Sequence, residues 1–241
     1  MRSGTVDREE RVLDLWERAV GLDRWQRDEA LLAVGQAPPR GLGARNAQLL
    51  ALRNALFNGA LALKSACPAC AAECEFQVDS ATLAGELSDQ MAERAVTFDW
   101  HGQSLSARPP TIDDLHAVSR QADQASAVRV LLARCLEGDF DAGDFDPATA
   151  DDATIEEFGR RIERLDPGAV VSFDLCCPAC AHDWSAMLDV GEALWTELQR
   201  AAERTLTEID ALARAYGWTE TEVMRLSPTR RAAYLQLVEG T

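Results

Sequence analysis

The chain has 241 residues, a formal net charge of −16 and 47% hydrophobic residues. This length and apolar content are enough to bury a core, so intrinsic disorder is excluded as the default state. The negative charge disfavours a nucleic-acid surface, which would need a basic patch strong enough to overcome the field of the whole molecule.

The sequence predicts a protein of the cytoplasm. It contains no run of about 18 apolar residues, and its opening residues lack the apolar stretch of a signal peptide. Its seven cysteines include two CPAC pairs, a spacing that favours metal binding over disulfides in a reducing compartment. A membrane is therefore not expected among its partners.

Residues 1–58 are predicted to form a helical segment. Apolar residues at three-to-four spacing predict helix over residues 8–34, and a stretch rich in glycine and proline then interrupts it. A further helix is expected from Ala44 to a stop at Asn58 and Gly59. The apolar stripe of this helix is interpreted as plain core packing.

From Leu61 the hydrophobic period changes to two, which predicts a strand on each side of the first CPAC motif. A helix over residues 82–94 and a β-hairpin over residues 96–107 follow. Thr111 and Asp114 have the spacing of a helix cap, and two helices are expected after them.

Cys135 lies in the second of these helices, over residues 125–137. Its neighbours are apolar and no histidine is placed to activate it, so it is interpreted as a buried small hydrophobe. The acidic stretch 137–152 misses the register of an EF-hand and is interpreted as a solvated loop. Thr154 with Glu157 then predicts a capping box for another helix.

Two distant segments repeat each other around the cysteines. Cys67-Pro-Ala-Cys70 leads to Val78-Asp79, and Cys177-Pro-Ala-Cys180 leads to Leu188-Asp189 at the same spacing. In both copies alternating apolar residues precede the motif, so each copy is predicted to be a β-hairpin with a CxxC tip.

Two such tips can place four thiolates tetrahedrally around one Zn²⁺, at roughly 2.3 Å from it. The predicted metal ligands are Cys67, Cys70, Cys177 and Cys180. Because all four positions are cysteine, no position stays open for water or substrate, which indicates a structural zinc rather than a catalytic one. Two hairpins that share a zinc ion in this way resemble a zinc ribbon. This ribbon is unusual because roughly a hundred residues separate its two hairpins.

Two alternatives to this assignment concern the same cysteines. A redox CxxC motif begins a helix, whereas both motifs here are flanked by strand alternation, which disfavours a redox function. Cys74, Cys176 and His182 lie close enough in sequence to compete as ligands, and each is interpreted as a bystander.

After the second hairpin, residues 191–241 are predicted to form a helical arm. An amphipathic helix is expected to Tyr216, and two short helices form a hook beyond Gly217. Capping patterns at Thr219 and Ser227 predict where these two helices begin. The basic residues Arg225, Arg230 and Arg231 are interpreted as solvated or salt-bridging.

The sequence resembles the baseplate hub assembly proteins of contractile-tailed (T-even-type) phages and of related phage-tail-like injection systems. The resemblance covers most of the chain and is carried by RNAQLLALRNALF, CPACAAECEF, PPTIDDLHAVSRQ, AVRVLLARCLEG, DPGAVVSFDLCCPACAHDW and EIDALARAYGWTETEVMRLSPTRRAAYLQLV. The last segment also resembles tail assembly chaperones of other phages, with their LA-x-x-YGW-x-x-x-E-[IV] pattern. The resemblance implies a function in building a tail or its baseplate, beside hub or tape-measure proteins, with no chemistry assigned.

The sequence therefore predicts an α+β protein. A split, four-cysteine zinc ribbon occupies residues 59–190, with a mainly helical insertion over about 82–168, between the helical segments 1–58 and 191–241. The expected function is non-enzymatic: the protein takes part in the assembly or the structure of a contractile-tail baseplate. It is made in the cytoplasm and is then either retained in the finished baseplate or released after assembly. A zinc-ribbon regulator that binds nucleic acid is the alternative, but the ribbon strands offer Lys64 and little other positive charge. No catalytic triad spacing or phosphate-binding loop indicates an enzyme.

Overall fold

The computed structural model describes residues 3–33, 41–89, 95–100, 103–137 and 147–239. The chain forms two compact units, one made of residues 1–34 with 191–241 and the other of residues 35–190. None of the helices in the described ranges is long and apolar enough to cross a membrane.

Helices and small antiparallel hairpins alternate along the chain. In order, the described elements are α1 Ser3–Ala19, α2 Arg24–Leu32, α3 Leu42–Leu56, β1 Leu61–Ala66, β2 Glu73–Val78, α4 Ser80–Asp89, β3 Val96–Trp100, β4 Gln103–Ala107, α5 Ile112–Val118, α6 Gln124–Cys135, β5 Leu136–Glu137, α7 Asp152–Glu163, a 3₁₀ turn Pro167–Ala169, β6 Val171–Cys176, β7 Asp183–Leu188, α8 Val190–Tyr216, α9 Glu220–Met224 and α10 Pro228–Glu239. This mixture agrees with the predicted α+β class.

The N-terminal helical segment is divided into α1 and α2. Gly21 has a φ of 82°, a conformation that a helix cannot continue through and that glycine adopts without steric cost. Asp23 then caps α2, because its Oδ1 accepts hydrogen bonds from the N–H groups of Trp25 and Gln26 at 3.0 and 3.1 Å. The helix expected over residues 8–34 is therefore interrupted.

The C-terminal arm has the predicted form of one long helix followed by two short ones. Helix α8 ends at Tyr216, and Gly217 directly after it has a φ of 70°. Thr219 and Glu222 form the predicted capping box of α9. Helix α10 begins at Pro228, and the Ser227 hydroxyl accepts a hydrogen bond from the Arg230 N–H at 3.4 Å.

Arg231 joins three helices of this unit. Its side chain is only 2% exposed and donates to Glu9 on α1 at 2.6 Å and to Glu208 on α8 at 2.9 Å. It also donates to the carbonyl oxygen of Leu226 at 3.2 Å. The salt-bridging interpretation is thus confirmed for Arg231, which fixes α10 against α1 and α8.

In the second unit, β1–β2 and β6–β7 form separate two-stranded sheets, while β3, β4 and β5 form a third. The two-residue strand β5 was not predicted, since so short a segment has no alternation to detect. The third sheet shares a core with α6 and α7 that contains eight buried residues: Leu105, Ala107, Leu132, Cys135, Ile155, Phe158, Ile162 and Leu165.

Two of the predicted helix starts can be compared with the structure. Thr111 and Asp114 form the expected capping box of α5. At α7 the expected box of Thr154 and Glu157 is wrong, because Asp151 is the N-cap and accepts from the Thr154 N–H at 2.8 Å. Four other expectations lie wholly or partly outside the described residues: the glycine- and proline-rich interruption at 34–40, the end of the helix at 90–94, the hairpin turn at 101–102 and most of the acidic loop, 138–146.

The segment after α7 caps α3. The buried Asp166 accepts a hydrogen bond from the Gly43 N–H at 2.9 Å. Asn46 in the next turn donates to the carbonyl oxygens of Gly168 and Ala169 at 2.9 and 3.2 Å. The bond from Gly43 satisfies an N–H group that a helix N-terminus would otherwise leave unpaired. Together with the Asn46 bonds it holds α3 against the 3₁₀ turn that precedes β6.

Candidate metal centre

The two cysteine hairpins are structural copies. Hairpin A (β1 and β2) pairs Leu61 with Val78 at its open end, and hairpin B (β6 and β7) pairs Val171 with Leu188 in the corresponding place. Each has two six-residue strands in an unbroken register. The repeat predicted from the sequence is therefore also a repeat of backbone geometry.

The CPAC turns of the two hairpins are closed by the same backbone hydrogen bonds. In hairpin A the Cys67 N–H donates to Ala72 O and the Ala71 N–H donates to Cys67 O, both at 2.9 Å. In hairpin B the Cys177 N–H donates to the carbonyl oxygen of His182 at 2.9 Å, and the equivalent of the second bond is 2.8 Å long. These bonds fix the direction of the cysteine side chains at each tip.

A left-handed alanine follows the second cysteine of each turn. Ala71 has a φ of 59° and Ala181 a φ of 56°. They are the two non-glycine residues with positive φ in the described part of the chain. Since this conformation costs an L-residue about 1–2 kcal/mol, its occurrence at both tips indicates that the turn geometry is required there.

These turns bring the four predicted cysteines together. The sulfurs of Cys67 and Cys180 are 3.7 Å apart, and those of Cys70 and Cys177 are 3.6 Å apart. All four sulfurs lie within 4.8 Å of one another. The cluster can therefore hold a metal ion, with two ligands from each hairpin.

The four cysteines differ in their access to solvent. Cys67 and Cys177, the first of each pair, are 2% and 1% exposed, whereas Cys70 and Cys180 are exposed. One side of the centre thus faces the protein and the other faces water. A metal ion can reach the cluster from the exposed side.

The local electrostatics favour a cation among these sulfurs. Burial opposes ionisation of Cys177, but the N–H groups of Ala179 and Cys180 and the adjacent thiols lower its pKa to about 6. The N–H of His182 likewise lowers the pKa of Cys180, but hydrogen bonds with neighbouring sulfurs, together with burial, outweigh this effect and raise the pKa to about 12. Without a cation, repulsion limits how many of the thiols ionise, and a divalent ion removes this limit.

The competing residues lie outside the four-sulfur cluster. Cys74 is buried against Cys67 and Cys177, and its thiol is directed to Ala72 O at 3.8 Å. Cys176 is exposed. The contribution of His182 that the structure shows is its backbone, which donates to one sulfur and accepts from Cys177.

Cys135 belongs to a different part of the unit. It is fully buried in the core that includes Leu105 and Ala107 of β4, and burial raises the pKa of its thiol to about 12. It is therefore the buried small hydrophobe that the sequence predicts. A thiol this hard to ionise is a poor nucleophile.

Sequence reasoning missed the backbone groups that surround the cysteines. The N–H donors at Ala72, Ala179 and His182 reach sulfurs, and a main-chain donor has no side-chain signature. The alanine after each CPAC motif was visible in both copies and marks the left-handed position.

No protein-family model matches the chain, and no curated protein or solved structure matches it significantly. The assignment of a metal centre therefore depends on the geometry of the four cysteines.

Proposed function

We propose that the protein is a non-enzymatic component or assembly factor of a contractile-tail baseplate, stabilised by one structural zinc ion. The observation that supports the metal is the convergence of four cysteine sulfurs from two distant hairpins. The support for the tail assignment is the sequence resemblance, which covers both hairpins and the C-terminal arm.

Zinc fits the spacing of the sulfurs. A tetrahedron with zinc–sulfur bonds of roughly 2.3 Å has sulfur–sulfur edges of roughly 3.8 Å. The separations of Cys67 from Cys180 and of Cys70 from Cys177, 3.7 and 3.6 Å, are close to this value. Four protein ligands fill the coordination shell of zinc, so the ion has no position for substrate and acts as a structural tie.

The geometry gives no support to the redox alternative. Both CxxC motifs lie in turns between strands, whereas a redox CxxC uses the N-terminus of a helix to stabilise its thiolate. A nucleic-acid regulator is also disfavoured, because Lys64 on hairpin A is bound by Glu73 and Glu75 at 2.8 and 2.7 Å. Its charge is therefore more than balanced.

Elemental analysis of the protein purified without added metal tests the zinc assignment. We expect one zinc ion per chain, and chelation should unfold residues 35–190, because the energy of metal binding is part of the folding energy. Iron in place of zinc, or a metal-free protein that keeps its full stability, would contradict the assignment.

Serine substitutions test the ligand set. Cys67→Ser and Cys177→Ser should release the metal and cost several kcal/mol of stability, since each leaves three thiolates. Cys176→Ser is the matched control, because it changes an exposed thiol beside a ligand; Cys74→Ser should also keep the metal. Loss of zinc from either control in a chromophoric chelator assay would show that the assigned ligands are wrong.

The tail assignment needs a separate test. If the gene lies beside tape-measure, tube or sheath genes, its deletion should abolish contractile tails in electron micrographs. Complementation with wild type or Cys176→Ser should restore them, and Cys67→Ser should not. Normal tails after deletion would contradict the proposed tail function but would not affect the zinc assignment.

A further inference from the structure

A groove of about 410 Å³ lies between hairpins A and B. It is lined by residues 63–66 of β1 and 184–188 of β7, together with Pro68, Phe76 and Phe173. This volume is at the lower end of the range for specific ligand sites. The groove is thus large enough for a few side chains but not for a folded domain.

The groove lies where the two hairpins differ in sequence. Phe76 of hairpin A contacts Phe173 of hairpin B edge to face, with ring centroids 5.6 Å apart. The residue of hairpin B that corresponds to Phe76 is Ala186, and it faces the groove beside Leu63. Because alanine has no ring, the second half of the interface lacks this aromatic contact and stays open.

Two unpaired strand edges border the groove. Consecutive residues of β1 and β7 line it, and since side chains alternate between faces, the lining must include the backbone edge itself. Hairpins A and B are both two-stranded. In the described part of the chain, the outer edges of β1 and β7 therefore have no partner strand.

The register identifies the free backbone groups. The Cys67 N–H bonds to Ala72, and residues opposite each other alternate between bonded and non-bonded pairs. The backbone groups of Lys64 and Ala66 therefore point away from β2. The same alternation holds in hairpin B, where Cys177 and His182 are a bonded pair. The backbone groups of Ser185 and Met187 therefore point away from β6. All four of these residues line the groove.

The surroundings of the groove are acidic. Lys64 lies between Glu73 and Glu75, with both contacts shorter than 3 Å. On hairpin B, Asp174 is directly opposite Ser185. This local excess of carboxylates has the same sign as the net charge of −16. It favours a basic occupant and repels polyanions.

We propose that the groove binds an extended segment of a basic protein partner, which adds as a strand to the free edge of β7. Main-chain hydrogen bonds to Ser185 and Met187 supply the pairing, and apolar side chains at alternate positions of the partner enter the space beside Ala186. Met187, which is 77% exposed, provides adaptable apolar surface. Arginine or lysine residues flanking this segment meet the acidic rim. The proposal goes beyond the zinc and tail assignments and does not depend on the tail function.

A blocked heptapeptide, Arg-Val-Thr-Val-Thr-Val-Arg, is the probe for this site. With the zinc-loaded full chain labelled with ¹⁵N, we expect the largest shift changes at the amides of Ser185 and Met187. The same peptide N-methylated at all of its valine and threonine residues cannot donate the pairing hydrogen bonds in either strand direction and should bind at least tenfold more weakly. Equal binding of both peptides, abolished by moderate salt, would indicate charge attraction alone and overturn the proposal.

Ala186→Phe tests the groove because it places a ring where hairpin A has Phe76. We expect at least a tenfold loss of peptide affinity with unchanged zinc content and melting temperature. Gln77→Phe is the matched control, since it adds the same ring at an exposed position of β2 outside the groove lining, and it should bind the peptide normally. Unchanged affinity in Ala186→Phe would overturn the proposal. A wild-type dimer in sedimentation that Ala186→Phe dissolves would also overturn it, because the occupant would then be a second copy.

Discussion

At the scale of single residues, the two left-handed alanines carry information about the centre. Ala71 and Ala181 occupy equivalent positions with φ values three degrees apart, although a glycine would adopt the same conformation without a steric cost. The strain is retained at both tips, which indicates that the closed turn is more stable than any relaxed alternative.

Replacing either alanine with glycine should therefore stabilise the protein. Relief of about 1–2 kcal/mol of strain exceeds the cost of about 0.4–1 kcal/mol from the more flexible unfolded chain. We expect Ala71→Gly and Ala181→Gly each to raise the free energy of unfolding by about 0.5–1 kcal/mol in urea titrations at saturating zinc. Ala62→Gly on strand β1 is the control and should lower it by a similar amount. A loss of stability at Ala71 or Ala181 would contradict the left-handed geometry.

Asp114 predicts a dependence of stability on pH. Burial alone would raise its pKa, but hydrogen bonds from Arg108 and Thr111 hold the pKa well below its usual range. A carboxyl whose pKa is lower in the folded state stabilises the fold above about pH 4, and this contribution is lost as the pH falls further. We expect wild type to lose more stability than Asp114→Asn between pH 6 and pH 3. Parallel pH curves in denaturant titrations would show that Asp114 is not responsible.

At the scale of elements, the sequence predicted best where the signal is local. The CPAC spacing, the alternation on either side of it and the helix stops at Gly59 and Gly217 all lie within a few residues of the structure they specify. By contrast, the cap on α3 comes from Asp166, 123 residues away from Gly43. The bond from Asp166 to α3 has no local signature in the sequence.

This long-range cap leaves no space for a side chain at Gly43. A Cβ there would overlap the carboxylate of Asp166 and lie 3.0 Å from the Cα of Gly168. Gly43→Ala should therefore destabilise the second unit by about 1–3 kcal/mol. Gly85→Ala on α4, where a Cβ meets nothing within 4 Å, is the matched control and should stabilise by up to about 1 kcal/mol. Thermal melts of the two variants should shift in opposite directions, and a shift in the same direction would refute the close packing.

At the scale of the whole molecule, the two ends of the chain form one unit and the cysteines belong to the other. The separation in sequence explains why this pairing was not predicted from patterns: amphipathic helices show that a face is buried but not against which partner. Glu9 and Arg231, for example, are 222 residues apart.

Removing residues 218–241 should destabilise the first unit and leave the zinc content of the second unit unchanged. The truncation takes away Arg231 with its two ion pairs and the buried side chains of Val223 and Met224, so the first unit should lose about 3–5 kcal/mol. Zinc content should be unchanged, because the ligands lie in residues 35–190. Arg231→Ala should reproduce much of the loss, and Arg230→Ala, which changes an exposed arginine, should not. Release of zinc on truncation would show that the arm supports the metal centre.

The candidate metal centre also has a mechanical consequence. Cys70 and Cys177 are 107 residues apart in the sequence, a length that would span roughly 350–390 Å if pulled straight. With a metal ion joining the two hairpins, tension applied at the ends of the chain passes through four metal–sulfur bonds and bypasses the insertion between them. The helices and the third sheet of that insertion are then shielded from force, and the chain cannot lengthen through them until a thiolate ligand is detached.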